Sequence, residues 1–228
     1  MPTYLGMMYF APSPIADTEP PRDCPLCPRL VGVRAALRAE YPDWWNSPVN
    51  AFGDPTAWLA IVGLAPGKHG ANRTGRPFTG DYSGDLLFST LAKYGLATGV
   101  YAGAPEDDLA LTGAIIVNAV KCLPPANKPT PEEIHTCRPF LAGQMGVLPN
   151  VRVVVALGQI AHQSAVKVLG GRLPKAKFGH LAEHLMPSGV TLIDSYHCSR
   201  YNQNTGRLTT EMFEAVFARA LQVRRRPE

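Results

Sequence analysis

Residues 63 to 81 read GLAPGKHGANRTGRPFTGD, which places seven glycines or prolines, three lysines or arginines and a closing carboxylate, Asp81, directly after the apolar run WLAIVG. As a phosphate cradle the stretch lacks G-x-x-x-x-G-K-[ST], and the helical pattern that follows starts only after Asp81, which argues against a nucleotide-hydrolysing loop. As the wall of a flat, narrow pocket it makes more sense. Gly63, Ala65 and Gly67 let a planar ligand lie against backbone, and Phe78 offers a ring to stack on it. Asn118 and Asn127 each present a donor and an acceptor, the hydrogen-bonding pattern of a nucleobase edge. His197 can donate to a carbonyl oxygen on which negative charge develops, for which a neutral imidazole with a fixed tautomer suffices. Each of these has a bland counterpart, since an isolated Phe or Asn commonly belongs to a core or a turn.

The five cysteines raise a second possibility. Cys24 and Cys27 form a C-x2-C whose thiolates can turn toward one ion, and Cys122 and Cys137 can supply two further ligands. Four soft donors suit zinc or an iron–sulfur cluster; alternatively the C-x2-C is fortuitous and the other two are core residues. Cys198 stands apart and reads as a small, partly buried thiol.

The elements that must position these groups follow from hydrophobic pattern. Short β-branched runs start near residues 58, 114, 152 and 191, and helical patterns separate them. That alternation predicts a three-layer α/β/α fold around a four-stranded, mostly parallel sheet. Thr130 followed by Pro131, Glu132 and Glu133 marks a helix start. Ligands of such sheets bind beyond the carboxyl ends of the strands, where the 63–81 stretch, KCLPPANKP, GQIAH and HCSRYNQNTGR all fall. The proline-rich residues 1–20 read as a loosely held arm and 21–228 as one domain. A formal charge of +4 tilts weakly toward anionic partners. There is no apolar run of about 18 residues to span a bilayer and no signal-peptide pattern, so a cytoplasmic protein is expected.

The motifs GLAPG, NRTGRPFTGD, NAVKCLPPANKPTPEE, VALGQIA and SYHCSRYNQNTGRLT occur in order over nearly the whole chain. Together they resemble the family 5, type b, uracil-DNA glycosylases of bacteria and archaea. The resemblance implies the α/β/α fold of those enzymes and excision of uracil and other deaminated bases, such as hypoxanthine or xanthine, from DNA. It also implies a [4Fe–4S] cluster, with Cys24, Cys27, Cys122 and Cys137 matching its ligands. Asp81 matches the carboxylate given a catalytic part, with His197 and Asn127 beside it. Phe78 matches a base-contacting position, with Asn202 a neighbour in the His197 loop expected to contact the base, and Asn118 resembles the pyrimidine-reading Asn of the related family 4 enzymes; Gly63, Leu64, Ala65, Pro66 and Gly67 are expected to line the base pocket. The first motif carries Leu64, Ala65 and Pro66 where many relatives have a water-activating Asn or Asp. That departure keeps a rival open: a non-catalytic nucleic-acid-binding module. A zinc deaminase is discounted for want of H-x-E with P-C-x-x-C. Lys68, Arg73, Arg76, Arg200 and Arg207 flank the two main loops and are expected to neutralise DNA phosphates. The expected partner is DNA containing uracil or other deaminated bases, bound by a monomer.

Overall fold

Leu, Ile, Val and Ala fill most positions of the four central strands because helices cover both faces of the sheet, so an alternating polar side is never needed. The computed structural model describes residues 14–225. In chain order the elements are α1 (Pro28–Glu40), β1 (Phe52–Gly53), β2 (Leu59–Gly63), α2 (Ala71–Thr74), α3 (Tyr82–Lys93), β3 (Ala97–Thr98), β4 (Ala110–Leu111), β5 (Ala114–Asn118), α4 (Pro131–Gly146), β6 (Val153–Leu157), α5 (Gln159–Val168), β7 (Glu183–Leu185), β8 (Thr191–Ser195), α6 (Arg200–Asn204) and α7 (Thr210–Arg224), with 3-10 turns at Ala16–Thr18 and Pro125–Asn127. Of the arm expected over residues 1–20, the first thirteen lie outside the described residues, and the 3-10 turn occupies part of the rest.

The expected four strands are present within a sheet of six, in the order β1-β5-β2-β6-β8-β7. The four central strands pair in parallel, while β1 and β7 are antiparallel edges. The four-stranded expectation is therefore corrected to a mixed, mostly parallel sheet. The two edges escape a sequence reading because β1 is two residues long and β7 alternates exposed and half-buried positions, too little apolar pattern to register.

Register sorts the core into two layers. Ile61, Ile116, Val155 and Ile193 lie side by side across the sheet and meet Leu87, Phe88 and Leu91 of α3 and Phe213, Val216 and Phe217 of α7. On the other face Val62, Val117, Ala156 and Leu192 pack with Leu141 of α4 and Ala161, Ala165 and Val166 of α5. Thr130 caps α4 as its sequence suggests: Glu133 N–H donates to Thr130 Oγ1 at 3.2 Å, and Thr130 N–H donates to Glu133 Oε2 at 2.8 Å. No helix among the described residues is long and apolar enough to cross a membrane.

One buried ion pair braces the loop that carries the site. Arg76 donates to Asp107 through Nη1 at 2.6 Å and Nη2 at 2.8 Å, and through Nε to Thr79 Oγ1 at 2.7 Å. Its guanidinium also lies over Phe52. Arg76 is 7% exposed, so its expected place among the phosphate-binding residues is corrected: its donors are spent inside the protein. Hydrogen bonding from Arg76, outweighing the cost of burial, and the N–H groups of Ala102 and Leu109 hold the Asp107 carboxyl down at about 2. A depressed carboxyl stabilises the fold above its unfolded value of roughly 3.9 and loses that contribution as pH falls through about 2. Asp107→Ala leaves the guanidinium buried without its partner and is expected to cost about 3–5 kcal/mol in urea unfolding at neutral pH. A loss under about 1 kcal/mol, the range of exposed pairs, would contradict the bracing role.

Candidate active site

Beyond the carboxyl ends of β2, β5 and β8 lies a pocket of about 320 Å³. It brings together Leu64, Ala65, Gly67, Phe78, Asp81, Asn118, Asn127 and His197 from the expected set, and adds Ala71, Ser83 and Ser199. The three additions are small residues with no chemical signature in a sequence. Gly63 and Pro66 are buried behind the wall, and the GQIAH loop contributes only Gly158, close to the His197 Cβ.

Asp81 is the N-cap of α3, its Oδ1 accepting from Ser83 N–H at 3.0 Å. The free N–H groups and the dipole of that helix end favour a carboxylate there. Its other oxygen lies against backbone: a Cβ on Gly70 would sit 2.3 Å from Oδ2, and one on Gly67 3.2 Å from it. The glycines of the 63–81 stretch thus clear space for the catalytic candidate itself, as well as for a ligand.

Gly63 does the same for the opposite wall. A Cβ there would come within 2.5 Å of Asn118 Oδ1 and 3.0 Å of the Phe78 ring. Asn118 is 3% exposed, and its Oδ1 is buried with no hydrogen-bond partner among the described residues. A buried amide oxygen left unpaired costs about 1–3 kcal/mol, so this pocket wall calls for a donor from outside the chain, a water or a ligand N–H. Phe78 adopts φ of +54°, unusual for a bulky residue. Its carbonyl accepts from Tyr101 Oη at 3.2 Å, and Gly84 lets α3 approach that carbonyl where any Cβ would collide at 1.9 Å. The ring so placed stacks on His197, with centroids 6.0 Å apart and planes 25° off parallel.

Burial pushes the His197 pKa down, against the pull of the Asp81 carboxylate, so the ring is neutral. Among the described residues neither of its ring nitrogens has a hydrogen-bond partner. Asn202, expected to contact the base, instead stands one step back: its Nδ2 donates to the His197 carbonyl at 2.8 Å and fixes the loop. Asn127 is exposed on the rim at φ of +55°, in the left-handed region that Asn tolerates better than most residues. Cys198 is fully buried and its thiol is pushed up by desolvation.

Four of the five expected phosphate-binding residues remain available. Arg73, Arg200 and Arg207 are exposed and Lys68 is half-buried. Lys68, Arg200 and Arg207 lie over the rings of Tyr41, Tyr82 and Tyr196.

The iron–sulfur expectation is overturned by where the donor atoms fall. Cys24, Cys27, Cys122 and Cys137 face one cavity of about 20 Å³, room for about a single water. Among the described residues, the potential metal-binding group with three donor atoms within 4.8 Å of one another is His162, His184 and Asp194, which includes no cysteine. Cys27, Cys122 and Cys137 pack with Leu30 and Val120, and Arg34 reaches Cys122 Sγ at 3.9 Å.

With the fold and pocket in place, comparison with known proteins is decisive. Residues 51–221 match the Uracil DNA glycosylase superfamily, and the chain belongs to it. It is accordingly a DNA-repair glycosylase, and the reading as a non-catalytic module falls away. Within that superfamily it is similar to the type-5 uracil-DNA glycosylase of Thermus thermophilus, 48% identical over 86% of this chain and 92% of the relative. The type-5 uracil-DNA glycosylase of Pyrobaculum aerophilum is 41% identical over 87% and 88%. A type-4 enzyme from the same archaeon is 35% identical over only 57% of this chain.

The packing of Gly70 on Asp81 yields a direct test. Gly70→Ala should displace the carboxylate and lower single-turnover base excision by about 100-fold, the scale of an ångström's misplacement, while DNA affinity stays within a few-fold of the parent. An unchanged rate would mean that the carboxylate's position does not matter to the chemistry.

Proposed function

We propose that the chain excises uracil and other deaminated bases from DNA by hydrolysing the N-glycosidic bond, leaving an abasic site. The observation that carries this reading is the buried, partnerless Oδ1 of Asn118 in a pocket that also holds a carboxylate and a neutral imidazole. Uracil offers an N3–H donor beside a carbonyl acceptor, the complement of one side-chain amide. The names of the type-5 relatives point to the same substrate.

The geometry supports the following sequence of events. The damaged nucleotide leaves the stack at a cost of a few kcal/mol, least for a mispaired base. Lys68, Arg73, Arg200 and Arg207 offset part of that cost by binding phosphates, so affinity falls steeply with salt. The base enters edge-on between Phe78 and the 63–67 backbone, and Asn118 reads its edge. As the C1′–N bond breaks, positive charge grows on the sugar and negative charge on the base. Asp81 stabilises the first and orients water, whose hydroxyl adds to C1′ while its proton is left for the departing base. His197 donates a hydrogen bond to the base oxygen that gathers charge. The enzyme acts as one domain over residues 21–228 and as a monomer, a reading in keeping with a pocket whose lining residues run from Leu64 to Ser199 of one chain.

Incubating the protein with a uracil-containing oligonucleotide, then alkali, should cut the strand at uracil; intact DNA would refute the proposal. His197→Ala is expected to lower the single-turnover rate about 100- to 1,000-fold, the effect of losing one donor to a developing oxyanion, with DNA binding retained. Because burial lowers the His197 pKa, the donor stays neutral below the ordinary value of 6.5. The rate should therefore hold level through that pH and decline only under more acidic conditions. An acid limb with its midpoint at or above 6.5 would show that His197 is not the neutral donor.

A further inference from the structure

Asp194 is completely buried on β8, with its side chain on the face that packs against α5, and its ion-pair partners among the described residues are both histidines. A carboxylate removed from water needs a cation. The two groups that reach it are imidazoles: His162 Nδ1 lies 2.8 Å from Oδ1, and His184 Nε2 lies 3.7 Å from Oδ2. Gly179 N–H adds a long contact to Oδ2 at 3.4 Å.

The other nitrogen of His162 settles the tautomer. Nε2 is 3.1 Å from the carbonyl oxygen of Ala176, which can only accept, so Nε2 carries a proton. In a neutral ring Nδ1 is then a bare lone pair facing a carboxylate oxygen at hydrogen-bond distance. Two acceptors so close share a cation, either a second proton or a metal ion. A ring whose far N–H is tied to a backbone carbonyl is also the usual support of a metal-ligating histidine.

We infer that His162, His184 and Asp194 form a site for a divalent ion of the zinc class, separate from the residues that line the active-site pocket. Zinc binds imidazole nitrogen and carboxylate oxygen at about 2.0–2.2 Å, which sets neighbouring donor atoms of a tetrahedral site roughly 3.3–3.6 Å apart. The observed 2.8 and 3.7 Å bracket that span, and all three donors lie within 4.8 Å of one another. Two imidazoles with one carboxylate favour zinc, cobalt or nickel over calcium or magnesium, which prefer oxygen alone. His184 is one-fifth exposed at its side chain and gives the ion a way in. Its Nε2 lies 3.0 Å from the carbonyl oxygen of Lys177 and by the same argument carries the proton when no metal is bound, so metal binding moves that proton to Nδ1 and gives up this hydrogen bond. Any second proton on His162 Nδ1 is released to solvent. The ion would tie α5 and β8 to the segment that carries Ala176, Gly179 and His184, just before the loop that begins at Tyr196 and holds His197.

The test uses the full chain, freed of metal by chelator and titrated with zinc in mildly alkaline buffer while ring ¹⁵N signals are followed. Free thiols can take up zinc adventitiously, so zinc uptake alone decides nothing. Both His162 and His184 ring signals should shift at one equivalent, with His162 keeping only its Nε2 proton. His184→Gln, at a partly exposed position, should weaken the zinc-dependent shift of His162 by about 10- to 100-fold or more. If His162 retains both ring protons in excess zinc, or if the variant responds as the parent does, the cation in this site is a proton and the inference is overturned.

Discussion

A carboxylate can stand at the mouth of this pocket only because backbone, and not side chain, surrounds it. Asp81 caps α3 through one oxygen and presses the other against Gly70 and Gly67. That close approach dictates the course of the whole β2–α3 loop, since the chain must leave β2, turn back beside the carboxylate and still deliver Phe78 to the wall opposite. The loop is held from beneath by polar contacts. Arg76 ties it to Asp107 and Thr79, while Tyr101 donates to the Phe78 carbonyl and accepts from Gly80 N–H. Phe78 at positive φ is a conformation of the kind that persists only where its surroundings over-determine it, and here they do.

The sheet supplies the other half of the geometry. Asn118 is the last residue of β5 and pairs in register with Gly63, the last of β2, so the end of one strand provides the polar group and the end of its neighbour the room for it. Two residues beyond β8, His197 arrives from the same edge. Three parallel strands ending together thus bring one amide, one imidazole and the start of the glycine-rich loop to a common rim, which is the general reason that ligands of such sheets bind there.

What a sequence discloses about this arrangement depends on whether the deciding interaction is local. The four central strands begin within a residue or so of their apolar runs, and the Thr130 cap is where its hydroxyl, proline and carboxylates indicate, because burial on both faces and capping are written into contiguous residues. The short edges β1 and β7 depend on neighbours distant in the chain and leave no period of their own. Arg76 illustrates the same limit within the site loop. Its sequence context, beside other basic residues, suggests a phosphate ligand, whereas its partner, Asp107, is thirty-one positions away. Asn202 and the cysteines fail alike, since residue type indicates what a group can bind but not which atom it faces.

The pairing of a carboxylate with a neutral imidazole has a chemical logic of its own. Were His197 charged, it would be drawn to Asp81 and each would cancel the other's field in the pocket. Burial prevents that by penalising the imidazolium more than the carboxylate rewards it. On the function proposed above, the two groups then act on opposite ends of one breaking bond: a fixed negative charge beside the sugar, and an uncharged donor aimed at the oxygen where the electron pair settles. Separation of these roles requires a dry, pre-formed cleft, because water would screen the carboxylate and compete for the donor. Phe78, stacked on the imidazole and backed by buried residues, contributes to that dryness on one side, and the entering base would complete it on the other.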